Sequence, residues 1–280
     1  MLLLRTLQET RSARQAQLRL GQSLALVPTM GALHEGHIAL ALEGKKHADQ
    51  VWVTIFVNPT QFGPTEDFHK YPRPIEDDLA KCKAAGVDGV FLPEVATMYP
   101  PDAIEAQVSI PELAKDLEAT FRPTHFAGVC RVVAKLLVLT MPDVAIFGQK
   151  DYQQLRIIEA LTLDLLLPTR ILAHPIVREA DGLAKSSRNR YLNADERQRA
   201  LGISRALAAC EALAKGGEKS AAVLENAMTR KLCEHGLVID YATLRDRKTL
   251  APLNELKPGA SVALITARCG ATRLLDNLEL

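Results

Sequence analysis

Two histidines, His34 and His37, stand three residues apart in the run Pro28-Thr29-Met30-Gly31-Ala32-Leu33-His34-Glu35-Gly36-His37, where a short apolar stretch passes into a helical one. That spacing puts both imidazoles on one face at a helix start. Backbone N–H groups and the positive end of the helix dipole already favour an anion there. Gly31 and Gly36 remove side chains where a ligand must approach the backbone. The pattern is not His-Glu-x-x-His, because the second histidine falls at i+3 and no third ligand is evident. A nucleotide-phosphate site is therefore expected, and no metal-ligating residue.

Three further segments offer matching chemistry. Asn58-Pro59-Thr60-Gln61 closes a β-branched run. Pro59 forces Asn58 out of helical geometry and leaves two amides, which can donate to and accept from hydroxyls and a carboxylate. In Gly148-Gln149-Lys150-Asp151-Tyr152-Gln153-Gln154, Gly148 is expected to make a turn and Lys150 to offer a point charge to phosphate. Asp151 and Gln154 share one face at i, i+3, although Asp151 could simply cap the helix. From Ala184 to Tyr191 there are three cations, Lys185, Arg188 and Arg190, and no acid, with Ser186 and Ser187 among them.

These segments need a frame that presents them together. Apolar runs at 23–27, 51–57, 89–92, 143–147 and 170–177 read as buried strands, and stretches at 36–48, 75–85, 126–139 and 152–165 read as helices. Strands separated by such helices imply right-handed crossovers and a parallel sheet covered on both faces. The fold class expected is α/β, a Rossmann-like doubly wound sheet, whose ligands bind beyond the carboxyl ends of the strands. Beyond Tyr191 the pattern changes to helices over 195–215 and 220–235, followed by apolar runs at 238–244 and 261–267. Residues 1–176 are thus expected to form the nucleotide- and substrate-binding domain. Residues 177–280 are expected to form a smaller α+β domain that closes over the active site.

Composition narrows the partners. The 280 residues carry 34 Lys plus Arg against 33 Asp plus Glu, a formal charge of +1, so no global field attracts nucleic acid or an anionic membrane. Five cysteines, with no Cys-x-x-Cys pair, suggest reduced thiols in a cytoplasmic protein. No apolar run is long enough to span a bilayer.

In order and spacing the segments resemble the pantothenate synthetase (pantoate-β-alanine ligase) family. The matching stretches are residues 28–37, 56–62 (Phe-Val-Asn-Pro-Thr-Gln-Phe), 71–73 (Tyr-Pro-Arg), 122–129 (Arg-Pro-Thr-His-Phe-Ala-Gly-Val), 142–155, 181–189 and 273–277 (Arg-Leu-Leu-Asp-Asn). The resemblance implies that pantoate attacks the α-phosphate of MgATP and that β-alanine then displaces AMP. It puts ATP on Met30, Gly31, Ala32, Leu33, His34, Glu35, Gly36 and His37, on Gly148, Gln149, Lys150 and Asp151, and on Val177, Lys185, Ser186, Ser187 and Arg188. It puts pantoate on Gln61 and Gln154, with Asn58 beside them, and β-alanine on Gln61. His37 is implied as proton donor to pyrophosphate, with His34 and Lys150 stabilising the pentacoordinate phosphorus. A homodimer is also implied. Gln149 stands where the family usually has Glu, and Lys185 where an apolar residue is more usual, so Lys185 is expected to add a phosphate contact. The rival within this fold is a nucleotidyltransferase that moves AMP onto a phosphorylated acceptor.

Overall fold

The computed structural model describes residues 1–64, 66 and 68–280. The chain divides into two units, Met1–Gln149 with Gln153–Pro175, and Lys150–Tyr152 with Ile176–Leu280.

In chain order the first unit builds β1 (Leu2–Leu4), α1 (Leu7–Arg19), β2 (Leu24–Thr29), α2 (Glu35–Gly44), β3 (Gln50–Ile55), α3 (Ile75–Ala84), β4 (Gly89–Phe91), α4 (Val95–Met98), α5 (Glu118–Phe121), α6 (His125–Thr140), β5 (Val144–Gly148), α7 (Tyr152–Asp164) and β6 (Arg170–His174). Its six strands are all parallel, in the order β1-β4-β3-β2-β5-β6. The alternation along β2 explains the two covered faces. Leu24 and Leu26 pack with Trp52, Phe91, Leu137, Ile157 and Leu161, while Ala25 and Val27 pack with Leu40, Val51, Val53, Cys82 and Ile146. From β2 the chain moves outward through β3 and β4, then returns to lay β5 on the other flank of β2. The strand order therefore reverses between β2 and β5, which is where such sheets bind ligands.

Several boundaries differ from expectation for local reasons. The strand expected over 170–177 stops at His174 because Pro175 has no N–H for the ladder. The strand expected to run to Val57 ends at Ile55, and a short 3-10 turn, Pro59–Gln61, follows. The helix expected over 36–48 ends at Gly44. Neither β1 nor α1 was expected. Helix α1 buries Thr10, Arg14 and Gln17 rather than an apolar stripe, so its periodicity is weak. Arg14 donates to the carbonyls of Met141 (2.8 Å) and Gln22 (3.1 Å) and pairs with Asp143 at 3.2 Å.

The second unit holds α8 (Ala194–Lys215), α9 (Ala221–Glu234), β7 (Val238–Asp246), β8 (Ser261–Cys269) and β9 (Thr272–Glu279), with the strands antiparallel in that order. Ile203, Leu207, Leu224, Met228, Leu244 and Ile265 form its core. The sequence pattern does not announce β9, because the strand buries Asp276 and Asn277 in place of regular apolar alternation. All five cysteines are free. Among the described residues no helix is long and apolar enough to cross a membrane.

Candidate active site

Strand β2 ends in a turn that is locked from below. Gly31 has φ +84°, a left-handed conformation, and a Cβ there would stand 3.0 Å from both Asp78 Oδ2 and Ile55 Cγ2, so only glycine fits. Asp78, on α3 and fully buried, accepts the Ala32 amide at 2.8 Å and the Leu33 amide at 2.7 Å. Burial pushes its carboxyl up, against the two amide bonds that favour its anion. Lys81, also on α3, donates to the Leu33 carbonyl at 2.9 Å. Ala32 itself is left-handed, with φ +50°.

This turn delivers His34 as the N-cap of α2. Its Nδ1 accepts the Gly36 amide at 3.1 Å, and His37 Nδ1 accepts the His34 amide at 3.3 Å. The rings lie 4.0 Å apart between centroids. With both Nδ1 atoms receiving an amide hydrogen, the proton of each neutral ring is fixed on Nε2. Two N–H donors at a helix N-terminus suit the oxygens of a phosphate.

Gln61 stands beyond the end of β3, and its Nε2 donates to Met30 Sδ at 3.1 Å, which joins this segment to the β2 turn. A thioether is a weak acceptor, so a carboxylate or hydroxyl would take that hydrogen readily. Asn58 differs from expectation. It is 1% exposed, and its Nδ2 donates to Gln61 Oε1 (3.0 Å) and to the Gly128 carbonyl (3.1 Å). Its Oδ1 accepts from the Thr60 amide and hydroxyl and from the Tyr99 hydroxyl, the last at 2.8 Å. An amide with every hydrogen-bonding position occupied holds Gln61 in place rather than facing a ligand. Gln154 is half-buried in the first turn of α7. Gly148, the last residue of β5, does not need glycine for a turn: a Cβ there would meet nothing within 4 Å, so the strand end is left open. The amide of Gln149 donates to the His174 carbonyl at 2.9 Å.

Within the second unit, the Lys150 carbonyl accepts from Asn277 Nδ2 at 2.8 Å, while Lys150 Nζ lies 3.7 Å from Asp151. The Tyr152 hydroxyl donates to Glu279 at 3.0 Å. The Val177 carbonyl accepts the Lys185 amide at 2.9 Å, at the base of the basic loop. Arg178 forks onto Asp276 at 2.6 and 3.1 Å. Ser186 accepts the Arg188 amide and caps the 3-10 turn Ser187–Tyr191. Lys185 Nζ lies 3.3 Å from Glu179, so the charge expected to serve phosphate is shared with a carboxylate outside the counted stretch. Among the described residues no three His, Cys, Asp or Glu side chains gather to hold a metal ion.

A sequence model of the family described as pantoate-beta-alanine ligase matches residues 2–279. The chain belongs to the pantoate-beta-alanine ligase family. It is 49% identical over 263 residues to the pantothenate synthetase of Myxococcus xanthus, covering 94% of this chain and 90% of that one. It is 48% identical to that of Anaeromyxobacter dehalogenans, covering 95% and 92%. Among solved structures, pantothenate synthetase from Thermus thermophilus superposes with a TM-score of 0.92 at 40% identity, covering 100% of this chain and 99% of that one. The Francisella tularensis ligase, described as complexed with beta-gamma ATP and beta-alanine, gives 0.82 at 31% identity, covering 100% and 97%. The fold of these ligases is the one found here, a Rossmann-like α/β unit with a smaller antiparallel sheet unit.

Three residues that hold these segments in place escape sequence reasoning. Asp78 looks like any acid in the first turn of a helix, where Glu76, Asp77 and Asp78 all complement the dipole. Its burial is the distinguishing fact, and burial is not written in that run of charges. Asp276 and Asn277 lie in the quoted stretch 273–277, yet only the fold reveals that they grip Arg178 and Lys150.

Proposed function

We propose that the chain uses MgATP to condense pantoate with β-alanine, through a pantoyl-adenylate intermediate. The pantoate carboxylate attacks the α-phosphorus, and pyrophosphate leaves. The β-alanine amine then attacks the activated acyl carbon, expels AMP and forms the amide of pantothenate. Activation is needed because a carboxylate oxygen is a poor leaving group, whereas AMP is a good one. Family membership supports amide formation over transfer of AMP to a phosphorylated acceptor.

The observation that carries the chemistry is the histidine pair whose Nδ1 atoms are both occupied by backbone amides. His34 and His37 then meet the nucleotide with Nε2–H donors, and the backbone from Met30 to His37 follows its phosphates, Glu35 and Gly36 included. Gly148, Gln149, Lys150 and Asp151 serve the same nucleotide, as do Val177, Lys185, Ser186, Ser187 and Arg188, with Lys150 stabilising the charge at phosphorus. Gln61 and Gln154 take pantoate, Gln61 also meets β-alanine, and Asn58 holds Gln61. Magnesium arrives on the triphosphate as part of the substrate. On the same family grounds we propose a cytoplasmic homodimer, which sedimentation equilibrium checks by returning twice the chain mass.

ATP–pyrophosphate exchange tests the reading. Exchange should require pantoate and proceed without β-alanine. Exchange that ignores pantoate, or that needs a phosphorylated acceptor, overturns it.

A further inference from the structure

The stretch Arg-Pro-Thr-His-Phe-Ala-Gly-Val (122–129), whose Gly128 carbonyl receives Asn58, also holds a buried imidazole at the start of α6: His125 is 6% exposed. Its Nδ1 lies 2.9 Å from the carbonyl oxygen of Gln61. A carbonyl can only accept, so Nδ1 carries the proton. Nε2 is therefore an acceptor, and Arg122 Nη1 supplies a donor to it at 3.1 Å. Arg122 is held in turn by a fork onto Glu66, Nε to Oε1 at 2.8 Å and Nη2 to Oε2 at 2.7 Å. The chain of contacts runs from Glu66 through Arg122 and His125 to the backbone of Gln61, and each link fixes the donor sense of the next. Burial, the largest cause, with Arg122 next, lowers the His125 pKa to about 4, so the ring is neutral at ordinary pH.

The rest of the stretch acts on the same turn. Gly128 lets α6 approach so closely that a Cβ there would lie 2.2 Å from the Thr60 carbonyl oxygen. Its own carbonyl receives Asn58 Nδ2, which also grips the Gln61 side chain. Gln61 is thus held at its backbone by His125, with a longer second bond from Arg122 Nη2 at 3.4 Å, and at its side chain by Asn58. A three-residue 3-10 turn has few bonds of its own to set its orientation.

We infer that His125 is a positioning residue for pantoate: its Nδ1–H, oriented by the Arg122–Glu66 pair, holds the Gln61 carbonyl and thereby aims the Gln61 side chain at the substrate. This rests on the reading of Gln61 as a pantoate ligand. Discrimination is possible because asparagine places its amide nitrogen near Nδ1 of the histidine it replaces, whereas glutamine places its own near Nε2.

The test measures pantoate and ATP KM for Gln61→Ala, His125→Leu, His125→Gln and His125→Asn, with thermal melts alongside. His125→Leu and His125→Gln should raise pantoate KM on the order of tenfold, the scale of one hydrogen bond, and leave ATP KM in place. His125→Asn should recover most of that loss. If His125→Leu does not fold, the Gln and Asn pair decides alone. An unmoved pantoate KM, a joint rise of both KM values, or an Asn variant no better than Gln overturns the inference while Gln61→Ala still raises pantoate KM. If Gln61→Ala itself leaves pantoate KM unchanged, the ligand reading fails and the inference falls with it.

Discussion

His37 holds its Nδ1 against the His34 amide, so its neutral ring has a single proton, on Nε2, and releasing that proton would leave an imidazolate. We therefore propose that His37 acts as hydrogen-bond donor to the charge that develops on the phosphates, where the family resemblance implies a proton donor to pyrophosphate. Loss of one such donor typically slows a reaction on the order of 10²- to 10³-fold, and His37→Ala should do so in single-turnover adenylation. His37→Gln carries an amide N–H close to the Nε2 position and should regain part of the rate. A Gln variant as slow as Ala would restore proton transfer as the role. At this scale the sequence nominates residues by type and spacing but does not give their hydrogen-bonding state. The types and spacing of His34, His37 and Gln61 suffice to nominate them, but the tautomer depends on backbone amides that only the folded turn supplies. Asn58 makes the same point, since its amide looks available until Thr60, Tyr99, Gln61 and Gly128 occupy it.

The β2–α2 turn depends on α3. Removing the Asp78 carboxylate leaves the Ala32 and Leu33 amides buried without an acceptor, at a cost of about 1–3 kcal/mol for each. Asp78→Ala should therefore lower the melting temperature and raise ATP KM together. Asp78→Asn keeps one acceptor oxygen and should do less of both. An unchanged ATP KM in a destabilised Asp78→Ala protein would separate the turn from nucleotide binding. Elements with strong periodicity, such as β2, α6 and β5, are legible from apolar spacing because they bury what that spacing predicts. Helix α1 and strand β9 are not, because they bury Arg14, Asp276 and Asn277, whose charges and amide N–H bond to partners far away in sequence. Pattern reasoning fails where polar groups take apolar places, and in β9 that failure falls on the residues that grip Arg178 and Lys150.

The first unit carries its own acid sensitivity. Folding lowers the His125 pKa from 6.5 to about 4: desolvation is the largest cause, Arg122 adds to it, and the hydrogen bond to the Gln61 carbonyl, Glu66 and Glu118 oppose it. The unfolded chain therefore takes up a proton near pH 6.5 that the folded chain refuses until about pH 4. Stability from this group is complete above the unfolded value and is lost as pH falls toward the folded one, by about 2 kcal/mol between about pH 7 and about pH 5. Urea unfolding of His125→Asn should have a flatter pH dependence across that window, and slopes equal to the parent's would remove His125 as the cause. The path of the chain has a consequence of another kind. Lys150–Tyr152 groups with the second unit although the residues on both sides group with the first, so the polypeptide passes from one to the other three times. A single genetic crossover can therefore never separate the two units cleanly. A crossover between residues 152 and 176 draws the second unit from two parents, one supplying the Lys150 carbonyl and the other the Asn277 that donates to it.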